Sequence, residues 1–217
     1  MAIAFDSGST FHTTNIASPW SLSHTNNGNL MIVAITHSFP DGVTLTTVTY
    51  DGIGMTKLSS ANFGGTQGQL FVYYSTAPST GANTLSVSWS GTDRGSIVVN
   101  SFSGVDVTTA FRSIATSTGG SSGTISASLA SSATEWGLSV IGSWNDVNDN
   151  LTTISNMIQQ SPINATTGPI VYIGYNSGSS ETKTVGGSKT ANRPWGHIVA
   201  SIQATAAAGR QQVIWVQ

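Results

Sequence analysis

The sequence predicts an all-β protein, a jelly-roll-like antiparallel β-sandwich with extended terminal segments. Three observations carry this expectation. From Gly42 to Asp106, short apolar runs are broken by turn residues about every 8–12 residues, the spacing of a sandwich or barrel. No segment sustains a 3.6-residue apolar period, so helices should be nearly absent. At 217 residues, the chain fits one large all-β unit, and two units of about 100 residues each remain open. The expected organisation is a single sandwich over residues 1–205, followed by a linker and strand-like arm over 206–217.

The elements follow in order. Ala2–Phe5 reads as a short strand and Asp6–Thr10 as a turn. Phe11–Ile16 and Trp20–His24 read as edge strands split by Pro19, which cannot donate to a ladder. Asn26–Asn29 is a turn by composition. Leu30–Ser38 (LMIVAITHS) is almost continuously apolar, as a strand covered on both faces must be. Val43–Tyr50 and Ile53–Leu58 flank Asp51-Gly52, a hairpin signal because both residues tolerate positive φ. Asn62–Gly68 is a Gly-rich loop, and Gln69–Thr76 (with LFVYY) is a strand.

Asn83–Ser90 alternates cleanly, with Leu85, Val87 and Trp89 on one face. Ser96–Phe102 is a strand stopped by Ser103-Gly104. Thr108–Ala133 is Ser/Thr/Gly-rich, with Ile114, Ile125 and Leu129 as its large aliphatics, and reads as two weak strands near an edge around Gly119–Gly123. Trp136–Trp144 is a buried strand and Asn145–Asn150 a polar tip. Thr152–Gln160 fits either a strand or one helical turn. Pro169–Tyr175, Glu181–Val185 and Trp195–Ala204 complete the sandwich. No repeat at a fixed period is visible, which speaks against a solenoid or propeller.

Composition excludes several functions. Charged residues are 7% of the chain, against roughly 25% in an average soluble protein. The surface must therefore be built from hydroxyls and amides, which suits a protein held against neighbours. The net charge is −2, and the basic residues (Lys57, Arg94, Arg112, Lys183, Lys189, Arg193, Arg210) are scattered. Phosphate binding needs them clustered, so nucleic acid is not an expected partner. The chain has no cysteine, which removes thiolate metal sites and thiol nucleophiles. No apolar run approaches the length of a membrane span, and MAIAFDSGST lacks the pattern of a signal peptide, so no membrane partner is expected.

Catalytic groups are few. Glu135, beside Trp136, is a candidate glycosidase carboxylate if an aspartate pairs with it, but most aspartates (Asp6, Asp41, Asp51, Asp93, Asp106, Asp146, Asp149) read as turn residues. His12, His24, His37 and His197 have no metal-ligand spacing. Asp146–Asn150 opens like a calcium loop, but Leu151 stands where glycine is needed and Met157 where the closing glutamate belongs. The expectation is a protein that is not an enzyme and has no metal and no cofactor. Among the tryptophans, Trp144 beside Asn145-Asp146 and Trp195 after Arg193-Pro194 are the two best placed to stack on a sugar. After the small-residue stretch Ala204–Gly209, the segment RQQVIWVQ places Arg210, Val213, Ile214, Trp215 and Val216 on a candidate partner-binding arm. It either adds to a neighbouring chain as a strand or folds back on its own sheet.

The segments AFDSGS, SHTNNGNLMIVAI, VTYDGIGMTKL, LFVYYSTAPSTGANTLSVSW and SIVVNSFSGVD together resemble a β-sandwich domain of tailed-bacteriophage structural proteins. The resemblance covers about residues 2–106 and extends more loosely to near Ala200. It implies a virion structural protein of the capsid decoration (cement) or tail-associated type. The implied partners are the major capsid protein and copies of itself as a homo-oligomer, with assembly in the host cytoplasm and residence on the capsid surface. The resemblance brings no active-site motif. The alternative is a carbohydrate-binding module or tail adhesin recognising host glycans through Trp144 and Trp195.

Overall fold

A computed structural model describes residues 2–38, 43–64, 68–120, 123–145, 152–153, 157–160, 168–190 and 192–206. The described residues form antiparallel sheets packed face to face and contain no helix. The first half of the chain supplies β1 (Ala4–Ala17), β2 (Trp20–Asn26), β3 (Leu30–Ser38), β4 (Leu45–Tyr50), β5 (Ile53–Gly54), β6 (Thr56–Phe63), β7 (Gly68–Ser75), β8 (Gly81–Trp89) and β9 (Thr92–Ser103). The second supplies β10 (Phe111–Gly119), β11 (Gly123–Ala130), β12 (Trp136–Asn145), β13 (Thr152–Thr153), β14 (Ile158–Gln160), β15 (Gly168–Asn176), β16 (Thr182–Lys189) and β17 (Trp195–Ile202).

Four sheets stack in the order outer, inner, inner, outer. The inner sheets run β1-β9-β3-β7-β6 and β10-β17-β12-β15-β14, and the outer sheets β2-β8-β4-β5 and β11-β16-β13. The largest core lies between the inner sheets. There Leu30, Ile32, Ala34, Val98 and Phe102 meet Leu138, Val140, Val171, Ile173 and Ile198. The alternate residues of the same strands, Met31, Val33, Ile35, Ile97 and Val99, pack on Trp20, Val48, Leu85, Val87 and Trp89 of the first outer sheet. Every residue of β3 and β15 is therefore buried. The unbroken apolar runs in their sequences reflect strands with no solvent face.

The two halves share one strand order. Counting β5 and β6 as one strand that changes sheet, each inner sheet reads first-eighth-third-sixth-fifth, and each outer sheet has second-seventh-fourth. The ladders repeat too. Leu30 to His37 pair with Phe102 to Gly95, and Trp136 to Ser143 pair with Ile202 to Trp195. Along these strands identical residues coincide at three places, Ile35 and Ile141, Val99 and Val199, and Ser101 and Ser201, so the duplication is plainer in backbone pairing than in side chains. The expected single sandwich over 1–205 is built as two sandwiches fused through a common core. Gly142 sets the approach of the inner sheets, since a Cβ there would lie 2.5 Å from Thr36 Cγ2.

Several local expectations change. The turn expected at Asp6–Thr10 is part of the continuous strand β1, which absorbs its polar residues through a bulge between Phe5 and Ser7 while pairing with β9. Asp93 is not a turn residue but lies buried in β9. His24, His37, His197, Lys183 and Lys189 are buried as well. Thr152–Gln160 yields the short strands β13 and β14. At Asp51-Gly52 the hairpin forms as expected, with φ of 52° and 73°.

Candidate functional site

The surface feature with most chemical content is a groove of about 680 Å³ where β5, β6 and β7 of the first half meet β10 of the second. Its apolar lining is Ile53, Leu58, Tyr74, Val107, Phe111 and Ile114, and no charged side chain among the described residues lines it. Among the described residues, the exposed large apolar side chains are Ile16, Ile53, Val107, Ile114 and Ile158. Three of them fall in this one groove, at 60% exposure for Ile53, 44% for Val107 and 46% for Ile114. Scattered exposed apolar residues need no explanation, but a cluster with an uncharged rim marks a binding surface.

Local backbone chemistry presents each of the three. The Asp51-Gly52 turn puts Ile53 at the tip of a hairpin. The Asp106 carboxylate accepts hydrogen bonds from the Thr108 backbone N–H (2.9 Å), Thr108 Oγ1 (2.7 Å) and Thr109 Oγ1 (2.9 Å), closing the turn that carries Val107. Those bonds, led by Thr108, hold the Asp106 pKa down at about 2. A bulge in β10 between Arg112 and Ala115, with Ser113 at φ 55°, turns Ile114 outward. Arg112 itself donates to buried Glu135 at 2.7 Å. Below them the Tyr74 and Phe111 rings meet edge to face at 5.0 Å, joining the two halves. Gln203 pins the linker between the halves, its N–H donating to Ala110 O (3.0 Å) and its C=O accepting from Asp106 N–H (2.9 Å).

The titratable groups form closed networks elsewhere. His37 Nδ1 lies 2.5 Å from Asp93 Oδ2 and its Nε2 3.0 Å from Gln69 Oε1, with both side chains of the His–Asp pair inaccessible to solvent. The Ser38 hydroxyl donates to the same Asp93 carboxylate. A nucleophilic triad needs the serine on the imidazole nitrogen remote from the aspartate. Here Gln69 occupies that nitrogen, and Phe71 and Trp89 pack around the ring. His24 pairs with Ser101 Oγ at 2.7 Å and Ser9 Oγ at 2.9 Å, and burial lowers its pKa.

Burial also lowers His197, to about 4, and its one described partner is Ser139 Oγ at 2.8 Å. Lys183 donates to Ser131 Oγ, Ser132 O and Ser180 O at 2.8–2.9 Å. Desolvation lowers its pKa, and Glu135 opposes that shift. None of these histidines, acids or lysines lines the groove or the cavities at Trp136 and at Ile158. Among the described residues, no three potential metal ligands converge.

Trp144 and Trp195 do not form one platform. They sit on neighbouring strands but on opposite faces of the inner sheet, Trp144 against the central core and Trp195 against Ile125, Ile141, Ile170 and Tyr172. The Arg94 guanidinium lies 4.5 Å from the Trp144 ring centroid. The Trp195 ring lies over Gly119, where a Cβ would come within 2.4 Å of it. The arm residues Arg210, Val213, Ile214, Trp215 and Val216 lie outside the described residues, as does the Asp146–Asn150 tip. Sequence reasoning missed the groove. Its one available signal was three large apolar residues set among polar neighbours, Ile53 after Asp-Gly, Val107 after Asp106 and Ile114 in a Ser/Thr strand. Comparison with protein-family models, curated proteins and solved structures finds no match for this chain.

Proposed function

We propose that this protein is a non-enzymatic structural protein that works by binding other protein subunits. In its specific form it is a virion structural protein that decorates and stabilises the outer surface of a phage capsid. The observation that carries the reading is the groove with no charged lining among the described residues, in which three of the exposed large apolar side chains, Ile53, Val107 and Ile114, cluster. Each would gain about 1 kcal/mol on burial of its remaining exposed area. One such contact is weak, so the reading implies many copies bound side by side, where effective concentration multiplies modest affinity.

The strand order supports the same direction. We read first-eighth-third-sixth against second-seventh-fourth as jelly-roll-like, an architecture used by capsid and lectin domains. The low charge and the phage-like strand-and-turn segments agree with a particle component. Glycan recognition through Trp144 and Trp195 has less support, because Arg94 covers a face of one ring and Gly119 underlies the other.

Quantitative mass spectrometry of purified particles tests the proposal. Many copies per particle are expected, a few copies would move the protein to the tail, and none would overturn the reading. Deleting Arg210–Gln217 is expected to weaken particle binding, and unchanged affinity of the truncated protein would remove the arm from the account.

A further inference from the structure

We propose that the groove, together with the free edge of β10, is the acceptor for the arm Val213–Val216 of a second copy of this chain, so that copies join head to tail. The inference rests on the structural reading above and names one of its contacts.

Three observations carry it. First, β10 is an edge strand whose residues from Arg112 to Thr118 are all exposed, and no strand among the described residues pairs with its outer side. Between Ala115 and Gly119 that edge has no proline, lysine or acidic residue to block pairing, and such an edge accepts an extended peptide. Second, the groove runs beside the start of the same strand, with Ile53, Val107 and Ile114 exposed. An extended peptide presents alternate side chains to one face. V-I-W-V therefore offers an apolar residue to the groove in either phase.

Third, the described course of the chain before the arm leads away from its own groove. Ala204 pairs antiparallel with Val105, and Thr205 N–H donates to Gly104 O at 2.9 Å. From Gln203 to Thr205 the backbone thus runs from Asp106 back toward Gly104, while the groove lies at Val107–Ile114. Ala204, Thr205 and Ala206 instead border the separate cavity beside Ile3 and Trp136. The eleven residues 207–217 reach about 36 Å when extended, enough to meet a neighbour. Because donor and acceptor are different surfaces, the contact is heterologous and builds rings or open arrays rather than a closed two-fold dimer.

The chain has no cysteine, so single-cysteine variants of the full chain give a direct test. Ile114→Cys and Val216→Cys proteins are mixed and treated with a short bismaleimide. Covalent dimers are expected, and Ile16→Cys, exposed elsewhere, paired with Val216→Cys should give none. In a separate measurement, Ile114→Lys should weaken self-association at least about tenfold, the loss typical of one interface anchor.

A double Ile114→Cys/Val216→Cys protein that closes only within one molecule, with no dimers from the mixture, would overturn the proposal in favour of the chain's own arm. Absence of any cross-link, in variants whose circular dichroism matches the parent, would overturn it outright. Particle binding separates this failure from failure of the broader reading. Binding lost on deleting Arg210–Gln217, without an Ile114 cross-link, discards the groove and keeps the structural role; a protein absent from particles discards that role.

Discussion

Replacing Asn100 with leucine should stabilise the protein. Asn100 lies in β9 between Val98 and Phe102, facing the opposite inner sheet, and is 0% exposed. Neither its Nδ2 nor its Oδ1 has a hydrogen-bond partner. Burying an unpartnered amide costs about 1–3 kcal/mol on the scale of protein mutations. Leucine has similar volume, removes that cost and adds buried apolar surface, while imperfect fit returns up to about 1.5 kcal/mol. The expected net gain is about 2 kcal/mol, or a rise in Tm of about 4–8 °C for a chain of this size.

The assay is urea unfolding followed by tryptophan fluorescence. The midpoint should rise with an unchanged slope. Asn100→Ala, which relieves the amide but leaves a cavity, should fall between the parent and the leucine variant. A lower midpoint for Asn100→Leu than for the parent would refute the reasoning, because the amide would then be satisfied in the folded chain.

Three further outcomes follow from the same structure. His197, lowered from 6.5 to about 4 by burial, binds its proton more readily unfolded than folded. Its contribution is complete above about pH 6.5 and is lost as pH falls toward 4, a total of roughly 3 kcal/mol. The stability difference between the parent and His197→Leu should change with pH across that window, and a flat difference would contradict the assignment. Asp106 has the depressed pKa of a hydrogen-bonded carboxylate, about 2 against 3.8. Its turn is held above the ordinary value and released as pH falls toward 2, so NMR titration should place its midpoint near 2, and Thr108→Val should move it up. Gly142→Ala forces a Cβ to 2.5 Å from Thr36 Cγ2 and 3.2 Å from Leu70. It should cost about 1–3 kcal/mol, with part of the loss recovered by adding Thr36→Ser, and a strictly additive double variant would argue against the contact.

The folded chain explains why some expectations held. Leu30–Ser38 and Pro169–Tyr175 announced themselves because a strand with two buried faces is mostly apolar on both, and β3 carries polar groups only at its end, Thr36 to Ser38. Leu85, Val87 and Trp89 alternated with serines because β8 shows one face to solvent. Asp93 misled because an aspartate beside Arg94-Gly95 looks like a turn, whereas its role comes from His37 and Ser38, 55 or more residues away. The burial of Lys183 and Lys189 likewise has no local signal in the sequence. Lys183 is stabilised indoors only because Ser131, Ser132 and Ser180 bring their oxygens to it.

The amino-acid order alone was enough to specify an all-β chain, the positions of most strands and the turns at Asp51-Gly52 and Asn26–Asn29. Those are local matters, decided by φ preferences and by which residues tolerate burial at a period of two. Tertiary structure decided the rest. Two halves with one strand order share a core because backbone pairing tolerates many side chains, and at paired positions such as Trp136 and Leu30 quite different residues fill the same place. The groove arises only where the edge strands β6 and β10 of the two halves come together. Ile53 is more than fifty residues from Val107 and Ile114, and no local pattern records that the three share a surface.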